Sequence, residues 1–196
     1  MITMPFRTLD NRGRILRTHR SGWLGPPFHG LRFDLIPPRD SKFSWINQGT
    51  TTITELTNGG LLLTAPLSGT GTNLRVRTRT APATPYTITA TIWPHLYNEF
   101  GVRTETGIGF RDSSSGRLHT IAAHQSGAGC NMYVSRWTTP TALNTDDFAQ
   151  AWEMNKPPYN LQVTDDGTTR FFNILDNFGT SLNLFSLPRT TWLAAP

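Results

Sequence analysis

From about residue 41 onward, apolar and polar residues alternate with a period of two in short runs. Clusters of Gly, Ser, Asn and Pro bound each run. This is the pattern of antiparallel strands with one face buried and the other wet. The clearest stretch is residues 107–137. Ile108 and Phe110 alternate with Gly and Arg, and the turn cluster Asp112, Ser113, Ser114, Ser115 and Gly116 follows. A second extended run covers 117–125, and Ser126, Gly127, Ala128 and Gly129 turn the chain again. Met132 and Val134 then alternate with Tyr133, Ser135 and Trp137. Three strands joined by two loops are predicted here.

The flanking sequence continues in the same manner. Residues 43–46 and 50–57 read as two short strands, and Asn58, Gly59 and Gly60 turn the second into a third at 61–64. In 73–80, Leu74, Val76 and Thr78 lie on one face and Arg75, Arg77 and Arg79 on the other. In 86–92, Tyr86, Ile88, Ala90 and Ile92 alternate with Thr87, Thr89 and Thr91. These two runs are expected to pair as a hairpin, with an arginine row beside a threonine row on the solvated face. A connection over 97–106 and a polar loop over 138–147 are expected, with a short strand at 148–154. Three strands follow at 159–164, 169–175 and 182–187, separated by turns at Asp166 and Gly167 and at Asn177, Phe178 and Gly179. About a dozen strands and no long helix predict an all-β fold, a two-sheet antiparallel jelly-roll sandwich with an extended N-terminal arm. No internal repeat of fixed period is present.

Composition changes this picture mainly at the N-terminus. The formal charge is +5, and Lys42 and Lys156 are the only lysines, so the basic character is arginine. Within residues 1–40, Arg7, Arg12, Arg14, Arg17, Arg20, Arg32 and Arg39 face only Asp10, Asp34 and Asp40. Pro26, Pro27, Pro37 and Pro38 rule out continuous helix there. Phe6, Leu9, Ile15, Leu16, Trp23, Leu24, Phe28, Leu31 and Phe33 are more apolar residues than a solvated tail carries. Two regions are expected: an Arg- and Pro-rich anchoring arm over 1–40, and a β-sandwich domain over 41–196. Phe6, Arg12, Arg14, Arg17, Arg20, Trp23, Phe28 and Phe33 are the candidate anchors to a partner. Aromatic residues are not interleaved as base-stacking platforms, so protein docking is expected in preference to nucleic acid. The single cysteine, Cys130, cannot form an intrachain disulfide. No apolar run approaches the length of about 18 residues that a membrane span needs, and no secretory signal pattern opens the chain.

Candidate chemistry is sparse. Glycoside hydrolysis needs two carboxylates across a cleft, roughly 5–9 Å apart. Glu99 and Glu105 share a loop in this reading, and no strand carries spaced acids on one face. His119 and His124 are five apart on one strand and so face opposite sides, which excludes joint chelation. Asp165, Asp166 and Gly167 read as a hairpin turn, and Asp146 and Asp147 fall in a loop without the spacing of a calcium site. Ser113, Ser114 and Ser115 make a turn, not a nucleophile elbow. No cofactor, metal or catalytic residue is expected. Tyr133, Arg136 and Trp137 are the candidate glycan contacts, by ring stacking and hydrogen bonding, with aromatic core packing as the competing role.

The order of five segments carries a resemblance: FSWINQG at 43–49, NLRVRTRTAPATPYTITATI at 73–92, GIGFRDSSSGRLHTI at 107–121, MYVSRWTTPT at 132–141 and LQVTDDGTTRFFNI at 161–174. Together they span roughly residues 41–193 and resemble a concanavalin-A-like (laminin-G-like) jelly-roll domain of tailed-phage virion proteins. The resemblance implies a bacteriophage virion structural protein, assembled in the host cytoplasm and displayed on the particle through its N-terminal arm. It implies a tail-associated position (fibre or tip) in contact with the host surface, with capsid decoration and a glycan-binding module as alternatives. The implied partners are other virion proteins of capsid or tail and further copies of the chain, a trimer among the arrangements, with a host-surface glycan as a further partner. Neither nucleic acid nor membrane is implied. Such domains carry one more strand after the segment matching SLPRTTWL. Leu31, Arg32, Phe33, Asp34 and Leu35 alternate suitably to fill that gap, from the same chain or from a neighbouring copy.

Overall fold

A computed structural model describes residues 39–57, 60–66, 72–94, 104–126, 129–152, 159–175 and 179–194. All of these lie within one unit, Pro38–Pro196. Residues 1–38 of the arm, with its eight candidate anchors and the expected gap-filling strand at 31–35, lie outside the described residues, as does Glu99.

Among the described residues a 3-10 turn, Asp40–Lys42, is followed by twelve strands: β1 (Ser44–Ile46), β2 (Thr52–Glu55), β3 (Leu61–Thr64), β4 (Val76–Thr78), β5 (Tyr86–Ile92), β6 (Glu105–Arg111), β7 (Leu118–Ser126), β8 (Gly129–Thr139), β9 (Ala142–Trp152), β10 (Tyr159–Asp165), β11 (Thr169–Leu175) and β12 (Ser181–Pro188). Two four-stranded antiparallel sheets, β12-β11-β10-β5 and β6-β7-β8-β9, pack face to face as a sandwich. The all-β expectation holds. Two smaller sheets, β1-β4 and β2-β3, precede them in sequence.

Alternation decides what is inside. On β10, Tyr159, Leu161 and Val163 point inward, and on β11 Phe172 and Ile174 do. From the other sheet come Phe110, Ile121, Ala123, Met132 and Val134, and Leu187 and Leu193 complete the core. Each large side chain buried fully here contributes about 1.5–3 kcal/mol. Phe172 is the centre of the packing: Phe110 meets it edge-on at 5.6 Å between centroids, and His119 lies 4.2 Å away.

The triplet predicted over 107–137 forms as β6, β7 and β8, in continuous antiparallel register. Gly107 and Gly109 are required within it. A Cβ at Gly109 would lie 2.3 Å from the His119 carbonyl oxygen, and one at Gly107 would lie 2.1 Å from that of Ile121. The β6 backbone therefore approaches β7 more closely than a side chain permits.

Two expectations are corrected. The 73–80 and 86–92 runs do not pair with each other. β4 pairs with β1, and β5 pairs with β10 through seven residue pairs from Tyr159–Ile92 to Asp165–Tyr86. Tyr86 and Ile92 of β5 pack against the core, whereas the arginines of the β4 region have partners elsewhere. The Arg77 guanidinium bonds the Asp40 carboxylate and lies 4.8 Å from the Trp45 ring centroid, with Phe43 at 5.9 Å. Arg75 donates to the Asn47 carbonyl at 3.0 Å and occupies the space where a Cβ on Gly49 would stand. The arginine row is thus not a solvated stripe beside threonines.

The second correction concerns 138–147, expected as a loop. The chain turns at Thr139, Pro140 and Thr141 and runs straight on as β9, which reaches back through the region read as a separate short strand. Three register shifts let this polar edge strand pair with β8. Its polarity suits an edge strand and hides the strand from a search for apolar alternation.

Candidate functional site

Four groups of polar side chains are held by this architecture, and three of them are built on buried aspartate or histidine side chains. At one end of the sandwich, Asp165 and Arg170 are both fully buried. Asp165 Oδ2 accepts from Arg170 Nε at 3.4 Å and from Arg189 Nε at 3.0 Å, and Oδ1 accepts the Gly167 amide at 3.0 Å. Arg170 Nη1 donates to the Leu193 carbonyl at 3.3 Å, and its guanidinium carbon lies 5.4 Å from the Phe110 ring centroid. Burial pushes the Arg170 guanidinium below the ordinary arginine value, with Asp165 acting against that shift. Burial first, then the negative charge of Asp165, raises Tyr86.

The second group uses a bulge. The register of β9 skips Asp147 between Asp146 and Phe148, so Asp147 is the extra residue and swings to the interior side. Its Oδ2 accepts from Arg136 Nε at 2.7 Å and lies 2.9 Å from His119 Nε2. His119 is wholly buried between Phe172 and Phe185. Burial, with Arg136 and Arg170 nearby, pushes its pKa down to about 3, so it is neutral at pH 7. Burial also raises Asp147, against the pull of Arg136.

The neutral imidazole has a measurable consequence. The unfolded chain takes up a proton on this histidine near pH 6.5, whereas the folded chain does not until about pH 3. Stability from this group is complete above pH 6.5 and falls as the pH drops toward 3, by up to about 1.4 kcal/mol per pH unit. Asp147 titrates in the opposite sense, because its raised folded value favours the protonated fold above the usual aspartate range. Urea unfolding of wild type between pH 7 and 5 is expected to lose stability, and His119→Met is expected to flatten that dependence. Parallel slopes for the two proteins would refute a neutral buried His119.

The turn after β6 is built on Asp112. Its Oδ1 accepts from the Ser114 hydroxyl at 2.6 Å and amide at 2.8 Å and from the Ser115 amide, and Oδ2 accepts the Ala194 amide at 3.1 Å. The Ser114 hydroxyl is the main reason that the carboxyl titrates well below the usual range. Trp192 is fixed close by: its Nε1 donates to the Leu118 carbonyl at 2.9 Å, and the guanidinium carbons of Arg117 and Arg136 lie 4.6 and 5.8 Å from its ring centroid.

The fourth group lies on the outer side of one sheet, where Asn160 and Asn173 are themselves buried and the threonines of β5 are exposed. The outward positions of β12-β11-β10-β5 carry no charge. They hold Thr87, Thr89 and Thr91, Asn160, Gln162 and Thr164, Phe171, Asn173 and Leu175, and Ser181, Asn183 and Ser186. A chain of amides crosses all four strands: Gln162 Nε2 donates to Thr89 at 3.1 Å, Asn173 Nδ2 to Gln162 Oε1 at 3.1 Å, and Asn183 Nδ2 to Asn173 Oδ1 at 2.8 Å. Thr91 donates to Asn160 at 2.7 Å, and Thr87 and Thr164 lie 2.9 Å apart. These bonds fix which edge of each amide is presented. The arrangement can offer hydroxyl and amide groups to a neutral polar ligand, and none of these residues carries a carboxyl, imidazole, thiol or amine group.

The sequence-predicted sugar contacts do not converge. Trp137 is 3% exposed, and its Nε1 donates to the Thr120 hydroxyl at 3.0 Å. Tyr133 shares its face of β8, and Arg136 points to the opposite one, toward Asp147 and Trp192. His119 and His124 do face opposite sides, His124 Nδ1 meeting the Thr104 backbone. Asp146 and Asp147 lie on a strand, and Glu105 opens β6. Among the described residues no three His, Cys, Asp or Glu side chains are grouped to hold a metal, and no helix is long and apolar enough to cross a membrane. The amide chain was legible only as scattered polar positions, because its members come from four separate strands. The one hint was the uncharged Thr-x-Thr-x-Thr of β5.

No protein-family model matches the chain, and no curated protein or solved structure shows significant similarity to it.

Proposed function

We propose that this chain is a bacteriophage virion structural protein whose β-sandwich is displayed on the particle through its Arg-rich N-terminal arm, in a tail-associated position at fibre or tip. Capsid decoration is the variant of the same role. The observation that favours a display module is how the acids of the body are used. Asp112, Asp147 and Asp165 are spent on arginines, turn amides and the last residues of the chain, so they hold the body rigid. The order of the five sequence segments supports the virion assignment, and the charge of residues 1–40 supports attachment through the arm. The uncharged amide and hydroxyl face favours a second reading, recognition of a neutral host-surface glycan, at that face rather than at Tyr133 and Trp137.

The test is particle association. Tagged full-length chain supplied during phage growth is expected to co-sediment with particles and to resist high salt alone, because apolar anchors share the arm with the arginines. Joint replacement of Arg12, Arg14, Arg17 and Arg20 by Glu is expected to leave it at the top of the gradient. Wild-type chain that never enters particles, or that cleaves a polysaccharide, would refute the reading. For the second reading, Gln162→Ala and Asn173→Ala are expected to abolish a glycan-array signal that Tyr133→Ala leaves intact.

A further inference from the structure

Each large sheet has two edges, and three of the four are blunted. β6 carries Glu105 and Arg111 at its ends and glycines between. β9 carries Asp146 and Asp147 and breaks register three times against β8. β12 has a register shift opposite Phe172 and Asn173 and ends at Pro188. Charges, bulges and proline are the devices that stop sheet edges from recruiting another strand.

β5 has none of them. Its sequence, Tyr-Thr-Ile-Thr-Ala-Thr-Ile, is free of charge, proline and glycine, and it keeps unbroken register with β10 over its full length. Among the described residues β10 is its one strand partner, so its other side presents backbone amides and carbonyls in regular alternation. Part of the apolar surface there is open as well. Ile88, which faces the interior side, is 39% exposed, and Trp93, just past the strand end, is 61% exposed.

We propose that β5 is the interface for a second copy of this chain, paired antiparallel with its own β5 about a two-fold axis at Thr89. The sequence is self-complementary in that register. Thr89 meets Thr89, Thr87 meets Thr91, Ile88 meets Ala90, and Tyr86 meets Ile92 of the second copy. Every apolar residue falls opposite an apolar one on the core side, and every threonine opposite a threonine on the outer side. Cross-strand pairs of these two kinds are favourable, and an isologous contact closes on itself and adds no further copies. One more residue along, Trp93 comes opposite Pro85 of the second copy. The two sandwiches then share one eight-stranded sheet, and the uncharged amide and hydroxyl face runs across both. This inference does not depend on the virion reading.

Sedimentation velocity of the chain across a hundredfold concentration range checks it. Wild type is expected to be dimeric at the upper end. Thr89→Lys, which opposes two like charges at the axis while changing one exposed side chain, is expected to weaken association at least tenfold with an unchanged circular-dichroism spectrum. Ser186→Lys on the far strand β12 is expected to leave it unchanged. Register is read by disulfide formation in a Cys130→Ser background. Thr89→Cys is expected to link to itself. Thr87→Cys and Thr91→Cys are expected to link when mixed but not alone, since opposed Cα atoms about 4.5–5.5 Å apart suit a disulfide. A monomer throughout the range overturns the proposal. So does a trimer without these links, or a Thr89→Cys that instead links within one chain to a cysteine placed at Phe33, which would make residues 31–35 the occupant of the edge.

Discussion

Replacing Asp165 with alanine is expected to be the most damaging single change in the body, at about 3–5 kcal/mol. Asp165 is wholly buried, and both Arg170 and Arg189 depend on its Oδ2. Arg170 is equally buried, so removing the carboxylate leaves a guanidinium inside the protein with the Leu193 carbonyl and the Phe110 ring for company. The penalty is the desolvated charge left behind, not the intrinsic worth of the pair. For a chain of this size the loss corresponds to a fall in Tm of about 6–20 °C. The double variant Asp165→Leu with Arg170→Met removes both charges and is expected to recover most of the loss, because an apolar pair in the same space needs no solvation. Thermal unfolding of the four proteins in the cycle decides the matter. If the double variant is as unstable as Asp165→Ala, shape and the Leu193 contact dominate and the electrostatic account fails.

The second large effect is expected at Gly109. Its substitution by alanine forces a Cβ to within 2.3 Å of a backbone carbonyl and 2.8 Å of the Thr120 Cα. Backbone cannot yield as a flexible side chain does, so β6 must move away from β7. The expected cost is about 3 kcal/mol, at the upper end of the range for overpacking. Gly116 is the control. It has φ +75 and open space around its Cβ position, so Gly116→Ala is expected to cost only the left-handed backbone penalty of about 1 kcal/mol. Amide exchange locates the damage: Gly109→Ala should deprotect β6 and the facing side of β7, whereas Gly116→Ala should affect only the turn on Asp112. Equal effects for the two variants would remove the steric argument.

Much of the architecture was readable along the chain, for a simple reason. β6, β7, β8, β10, β11 and β12 are bounded by turn residues, and most have apolar residues at every second position. β9 escaped because it is an edge strand whose inward residue Asp147 is polar and reaches the interior through a bulge, so the period breaks there. The partners of β4 and β5 were misassigned because adjacency in sequence favours a hairpin, while burial favours placing β5 beside β10. Trp137, taken as a surface contact, is held by Thr120 beneath the surface, and alternation alone cannot say whether the outer side of a strand is covered.

The candidate face divides in the same way. Thr87, Thr89 and Thr91 announce a polar uncharged strand face by spacing alone. That Gln162, Asn173 and Asn183 extend it into a bonded chain depends on four strands 10 to nearly 100 positions apart being brought side by side.

Local periodicity and turn chemistry act within a few residues, so the chain by itself determined that this protein is all-β, roughly where its strands lie, and that its positive charge gathers at the N-terminus. Pairing between distant strands, the neutral state of His119 and the burial of Asp165 beside Arg170 were decided only by the tertiary structure. Each of these depends on what solvent is excluded when two sheets close on one another, and no stretch of sequence contains both sides of that contact.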